Sequence, residues 1–467
     1  MSHKPDRITF QTRFTEMVAE LRREIVTGIR PKGDYLPSEL TLADQYKLSK
    51  KSVRKALDIL VEEGLITKVP RVGNRITPPD SRQTVSLKLG LYPSLEGETR
   101  ISELLDRFRA AYPYIQVETV ALPYTHYPHS VKGYLDNQWL DVISLNNWNF
   151  LETMENDALD YFEPQEPRPG HYPFLPPVFT EGGRMYAQPF IFSPVILCYN
   201  KSLLRQLGIA EPDSSWSWDD LRASSSRIRH ETERFGFYAH ISSTNRFPIV
   251  LLQEEFRFSS PGSGSPYEDP RLWESLRGFR DLIYSQGLFP SFLSETNADA
   301  EKLFAREKAA MIMTTYYGLK YLRDLPFAYD LAPLPYNKNA KTLLLVTGLA
   351  VSRQSAHKDA ARLLVDFLTS EESQLDIRKH TMTLPAHKAS AEWTGPEEFE
   401  RPSRFHLYRE IIPTFSRFED LNLPVTELSR LRNELNLFWS GLEEPEPVMQ
   451  RLKEQYDRKV GQAAGLS

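Results

Sequence analysis

The stretch Ser49-Lys50-Lys51-Ser52-Val53-Arg54-Lys55-Ala56-Leu57-Asp58-Ile59-Leu60-Val61 decides the fold of the N-terminal part of the chain. A serine before an apolar period caps a helix, because its hydroxyl accepts from the free amides of the first turn. Val53, Leu57, Leu60 and Val61 then share one helix face, and Lys50, Lys51, Ser52, Arg54 and Lys55 stand at its start. Upstream, Phe14, Met17, Val18, Leu21 and Ile25 keep helical spacing up to a stop at Gly28. Ser38 caps a short helix between them, in which Leu40, Ala43 and Tyr46 face inward. Downstream, Leu65 to Val69 and Arg75 to Thr77 pair as strands across Arg71-Val72-Gly73-Asn74. Three helices and a hairpin make a winged helix-turn-helix, whose third helix sets its N-terminal residues against base edges in the major groove.

Charge is segregated in the same way. Residues 1–80 carry a net +4 and residues 81–467 a net −9, and Lys47 to Arg75 holds eight basic against three acidic residues. Charge alone is met by a solvated helix face. Joined to the order of helices and hairpin, it points to duplex DNA.

The run Gly33-Asp34-Tyr35-Leu36-Pro37-Ser38-Glu39, with Leu42-Ala43, Ser49-Lys50, Val53-Arg54, Ala56-Leu57 and Glu63-Gly64-Leu65-Ile66, resembles the GntR family of bacterial transcriptional regulators. The family usually has Ser-Arg at the start of the third helix and Gly-x-Gly in the wing. This chain has Ser49-Lys50 and Arg71-Val72-Gly73, which bears on the sequence read, since lysine offers a point charge where arginine offers a fork. The DNA-binding candidates are Ser38, Ser49, Lys50, Lys51, Ser52, Arg54, Lys55, Arg71 and Arg75. A homodimer on a pseudo-palindromic operator is expected, because one short helix reads too few bases to select a site.

The remaining chain is long enough for a second, larger core. Of 467 residues, 40% are hydrophobic and 25% charged, which excludes a mainly disordered protein. The longest nearly apolar run, Pro189 to Tyr199, is far too short to span a bilayer, so no membrane partner is expected. The charged start Met1-Ser2-His3-Lys4-Pro5-Asp6 lacks the apolar centre of a secretory signal, and the single Cys198 rules out an internal disulfide; both suit a cytoplasmic protein. Pro78 and Pro79 mark a semi-rigid connection, giving a DNA-binding domain over 1–80, a linker over 78–84 and an effector domain over 85–467.

In that region Val85, Leu87, Leu89 and Leu91 alternate as a strand, Ile101, Leu104, Leu105 and Phe108 keep helical spacing, and Tyr114 to Val120 reads as the next strand. Further strands at Leu140–Leu145 and Val195–Tyr199, and helices at Asp219–His230, Arg271–Gln286 and Ala356–Thr369, give an α/β class. The proline-dense Pro164 to Pro177 reads as an extended surface crossing. Phe108 to Glu118, Leu140 to Ser144, Gly183 to Pro189, Leu197 to Leu204, Trp216 to Leu221, Lys308 to Met311 and Phe367 to Glu372 resemble the family 1 extracellular solute-binding proteins, the sugar-binding components of ABC importers. The resemblance implies a two-lobed type 2 periplasmic-binding-protein fold, with a ligand cleft between lobes and crossovers near 190–195 and 346–349.

In open α/β sheets ligands sit beyond the carboxyl ends of strands. The residues there are Tyr92, Asn146-Asn147-Trp148, Tyr316-Tyr317 and Thr347-Gly348. Amides beside flat aromatics suit the hydroxyls and apolar face of a sugar. Tyr92, Asn146, Asn147, Trp148, Arg246, Tyr316, Tyr317 and Gly348 are therefore the ligand candidates, with core packing as the other reading of Trp148 and Tyr317, and a solvated side chain as that of Arg246. Trp216 and Trp218 read as packing and capping residues. Phosphate loops and nucleophile motifs are missing, and His126 and His129 have no third ligand, so neither enzyme chemistry, a metal nor a cofactor is expected. The expectation is a regulator whose operator affinity answers to a mono- or oligosaccharide. A sensor of a non-sugar solute, or a glycan-binding module that docks nucleic acid without operator choice, stays open.

Overall fold

The computed structural model describes residues 7–26, 30–77, 85–124, 127–258, 265–284 and 296–464. The stop at Gly28, the Pro78-Pro79 connection, His126 and the end of the helix expected to reach Gln286 lie outside these.

The first part is three helices, Arg7–Val26, Glu39–Tyr46 and Lys50–Glu62, and two antiparallel strands, Ile66–Val69 and Gly73–Ile76, that is, a winged helix-turn-helix. Met17, Leu21, Leu42, Val53, Leu57, Leu60, Leu65 and Ile76 close its core. Ser38 and Ser49 cap their helices, each accepting from the amide three residues on. Leu40 differs from the sequence reading: it is exposed, and Leu42 fills the core beside the expected Ala43. The hairpin register pairs Ile66 with Ile76 and Val69 with Gly73, so the turn tightens to Pro70-Arg71-Val72. Arg71 takes φ 62°, a left-handed turn residue.

The large part is built on one ten-stranded mixed sheet. In its first half, strand Val85–Leu91 runs parallel to Ile115–Ala121 on one side and Val142–Asn146 on the other. In its second half, Ala309–Thr315 runs parallel to Phe235–Tyr238, and Tyr329–Ala332 pairs antiparallel with the end of Ala187–Asn200. Two long strands, Ala187–Asn200 and Thr342–Val351, lie antiparallel and join the halves. Ala187–Asn200 has 14 residues, all buried. At about 3.3 Å per residue it is long enough to serve both lobes. Ala187 to Pro194 pairs with Leu344 to Ala350, and Val195 to Tyr199 with Met311 to Thr315. Each long strand is irregular near the middle: Pro194, without an amide hydrogen, follows Ser193, and the register slips between Thr347 and Gly348. The molecule is thus a winged helix followed by a two-lobed α/β module of the type 2 periplasmic-binding-protein kind.

Trp216 and Trp218 are buried, and the Trp218 indole donates to Gln253 Oε1 at 2.7 Å. The capping box of Ser217 and Asp220 opens helix Trp218–Glu231 beside them. Helices Val425–Trp439 and Pro445–Ala464 pack on the second lobe through Leu428, Leu431, Phe438 and Leu452. Among the described residues no helix is long and apolar enough to cross a membrane.

Candidate functional site: a basic helix start and an interlobe cavity

Lys50, Lys51, Arg54 and Lys55 are exposed on successive turns of helix Lys50–Glu62, so four cations share one side of its N-terminal end. Arg54 Nε donates to Glu39 Oε2 at 2.7 Å, which fixes its direction. Arg71 and Arg75 are exposed on the hairpin, and Arg75 Nε reaches Gly33 O at 3.3 Å. Ser38 and Ser49 are spent on capping: Ser38 Oγ accepts from Thr41 N at 3.1 Å and Ser49 Oγ from Ser52 N at 3.2 Å. Ser52 departs from its expected place. It is 9% exposed and turned inward to share a hydrogen bond with Ser49 Oγ at 2.8 Å, which removes it from the basic face.

A cavity of about 830 Å³ lies where the two long strands pass between the lobes, floored by Leu345, Val346 and Thr347. On the first-lobe side, the Tyr92 hydroxyl donates to Asn149 Oδ1 at 2.5 Å and accepts from Asn146 N at 3.2 Å, and burial pushes its pKa up. Tyr124 stacks on Tyr92 at 4.8 Å and 5°. Asn146 caps helix Asn147–Glu155 through Asn149 N at 2.8 Å. The Asn147 amide ties that helix to the floor, donating to Leu344 O at 3.1 Å and accepting from Val346 N at 3.3 Å. Trp148 is half-buried, edge-on to Phe418 at 5.1 Å.

The second-lobe side is more heavily charged. Tyr317 donates to Leu345 O at 3.3 Å. Lys320 crosses the cleft to Glu98 Oε1 at 3.2 Å and Ser94 O at 3.3 Å. Burial lifts the Glu98 carboxyl above its usual range, and Lys320 pulls it back down in part. His240 is brought to about 4 by burial, then by Arg246 and Arg432. Arg246 is 1% exposed rather than solvated, and burial lowers its guanidinium to about 10 against the pull of Glu301.

Six of the sequence candidates line this cavity: Tyr92, Asn146, Asn147, Trp148, Arg246 and Tyr317. Two do not. Tyr316 is fully buried behind the crossing strands, where its amide donates to Ser193 Oγ at 2.7 Å and its hydroxyl to Phe405 O at 2.8 Å. Gly348 is packed against Phe179 and Gln188, and a Cβ there would lie 2.8 Å from the Phe179 ring. The sequence reading missed Glu98, Tyr124, His240, Glu301, Lys320 and Arg432, all cavity residues. Tyr124 and His240 follow strands Ile115–Ala121 and Phe235–Tyr238, so the strand-end rule reaches them. Glu301 and Arg432 lie on helices Ala298–Ala305 and Val425–Trp439, where no periodic signal marks them.

A cleft between two lobes joined by crossing strands defines a solute-binding module. The chain belongs to the bacterial extracellular solute-binding protein family, whose model matches residues 103–405, and residues 15–76 match the model of the bacterial regulatory proteins of the gntR family. A putative binding protein of Brucella abortus (strain 2308) is 22% identical over 226 residues, 47% of this chain and 54% of its own length. The chain thus spans about half of that relative. The probable transcriptional regulator PhnF of Escherichia coli (strain K12) is 37% identical over 65 residues, 14% of this chain and 27% of PhnF. Maltose-bound MalE3 of T. maritima superposes with a TM-score of 0.68 at 18% identity, over 79% of this chain and 98% of that one.

Proposed function

We propose that the protein is a cytoplasmic transcriptional regulator in which the winged helix binds operator DNA as a homodimer and the two-lobed module senses a mono- or oligosaccharide. The observation that carries this reading is the pairing, in one chain, of a four-cation helix start with a polar, aromatic-lined cavity of about 830 Å³ at the crossing strands. That volume accommodates one or a few sugar rings. Tyr124, backed by Tyr92, with Trp148 and Tyr317, supplies flat faces, and the amides and charges around them supply hydroxyl partners. The matched families are regulatory and solute-binding, and the maltose held by MalE3 supports a sugar ligand.

Lys50, Lys51, Arg54 and Lys55 enter the groove in this reading, with Arg71 and Arg75 on flanking phosphates. Closure of the lobes about Ser193–Pro194 and Thr347–Gly348 then changes how the two winged helices are held. Coupling of this kind is typically about 1–3 kcal/mol and must be reciprocal. The test is titration of maltose into the full chain with and without a footprinted operator. Equal affinity in both states refutes the coupling, and normal binding by Trp148→Ala refutes the placement of the cleft.

A further inference from the structure

Arg246 and Glu301 both line the second-lobe wall of the cavity, each almost fully buried in a setting that disfavours its charge. Arg246 comes from the irregular segment after strand Phe235–Tyr238, and Glu301 from helix Ala298–Ala305. They sense each other electrostatically, yet no carboxylate lies within 4 Å of Arg246 among the described residues. Arg246 Nη1 reaches only Asn245 O, at 3.2 Å, and its Nε is buried with no partner. Glu301 Oε1 accepts from the Thr314 hydroxyl, and its Oε2 is likewise buried and unpartnered. The close seat of Glu301 depends on Gly318, where a Cβ would lie 2.3 Å from Oε1.

One unspent donor and one unspent acceptor in the same wall select by charge. A hydroxyl accepts from arginine and donates to a carboxylate, so it satisfies both. A phosphate or sugar carboxylate satisfies Arg246 and is repelled by Glu301, and an ammonium does the reverse. Lys320 is already paired with Glu98, and the lining as a whole sets the carboxylates Glu98, Glu152 and Glu301 against the cations Arg246, Lys320 and Arg432, so it carries no net positive charge to favour an anion.

We infer that Arg246 and Glu301 are a specificity pair that restricts the cleft to neutral polyhydroxy ligands and rejects phosphorylated, acidic and amino sugars. The inference rests on the sugar-cleft reading above and adds the charge class of the ligand.

The test is calorimetry on the full chain with maltose, galactose and raffinose against glucose 6-phosphate, glucuronate and glucosamine. At least one neutral sugar should bind, with every charged compound 10-fold weaker or more. Glu301→Gln keeps the shape and removes the charge. It should weaken the neutral sugar by 10-fold or more and narrow its lead over glucose 6-phosphate. Arg246→Lys, which keeps the charge and loses the fork, should weaken the same sugar, and this arm stands if Glu301→Gln does not fold. Wild-type binding of charged and neutral compounds alike, or unchanged affinities in the variants, overturns the specificity pair and leaves the cleft intact. Failure of all six compounds on wild-type protein overturns the sugar-cleft reading itself.

Discussion

Replacing Lys320 by Met should destabilise the two-lobed module, and the size of the effect follows from what Lys320 faces. Its ammonium lies 3.2 Å from Glu98 Oε1, with the two side chains 19% and 9% exposed. At an effective dielectric of about 20 the gross attraction is about 5 kcal/mol. Desolvation of Glu98 takes back much of it, since burial keeps that carboxyl above its usual range despite Lys320. Removing the partner leaves the carboxylate buried and alone, and we expect a loss of about 3 kcal/mol, the low end for a broken buried pair. Glu98→Gln should cost only about 1 kcal/mol, because the lysine stem can carry its charge to water. The double variant should lose less than the two singles together, with a coupling of about 2 kcal/mol.

The sign with pH is also fixed. A carboxyl whose folded pKa is raised contributes stability below its unfolded pKa and loses it as pH rises through the folded value. Lys320→Met raises that value further, so its penalty should shrink at pH 5 and grow at pH 8. Urea unfolding followed by tryptophan fluorescence reads this module alone, because all seven tryptophans lie between Trp139 and Trp439. A coupling under about 0.5 kcal/mol, or a Lys320→Met penalty that does not change with pH, refutes the reasoning.

Lys51→Ala and Arg54→Ala should each weaken operator binding by about 1–3 kcal/mol where they contact bases, or lower the salt slope by about 1 where they contact phosphate, as read by fluorescence anisotropy at several salt concentrations. Ser52→Ala, at a position turned away from the basic face, should leave operator affinity within about 0.5 kcal/mol of wild type in the same assay. Tyr316→Phe should lower stability by about 1–3 kcal/mol by stranding Phe405 O and Tyr408 N, measured by the same urea unfolding, with sugar affinity in calorimetry unchanged. Footprints of the operator should show half-sites about 34–36 Å apart, or a multiple of that, and a non-repeated footprint bound by one protomer would remove the dimer.

The sequence by itself determined what depends on neighbours along the chain. Ser38 and Ser49 before short apolar periods, and a glycine-bearing loop near Arg71-Val72 between two strand runs, were enough for the winged helix, because capping and hairpin formation act within a few residues. Strand periodicity likewise marked Tyr92, Asn146, Asn147 and Trp148 as cavity residues, since a strand end carries its neighbours to one edge of the sheet. Only the tertiary structure decided the rest. Tyr316 and Tyr317 are adjacent in sequence, yet the first is locked behind Ser193 and the second faces the cavity. Arg246 reads as a solvated arginine until helix Ala298–Ala305 brings Glu301 beside it, and Arg432 joins the same wall from a helix nearly two hundred residues further on. Burial and charge pairing are set by segments far apart in the chain, so no local pattern encodes them.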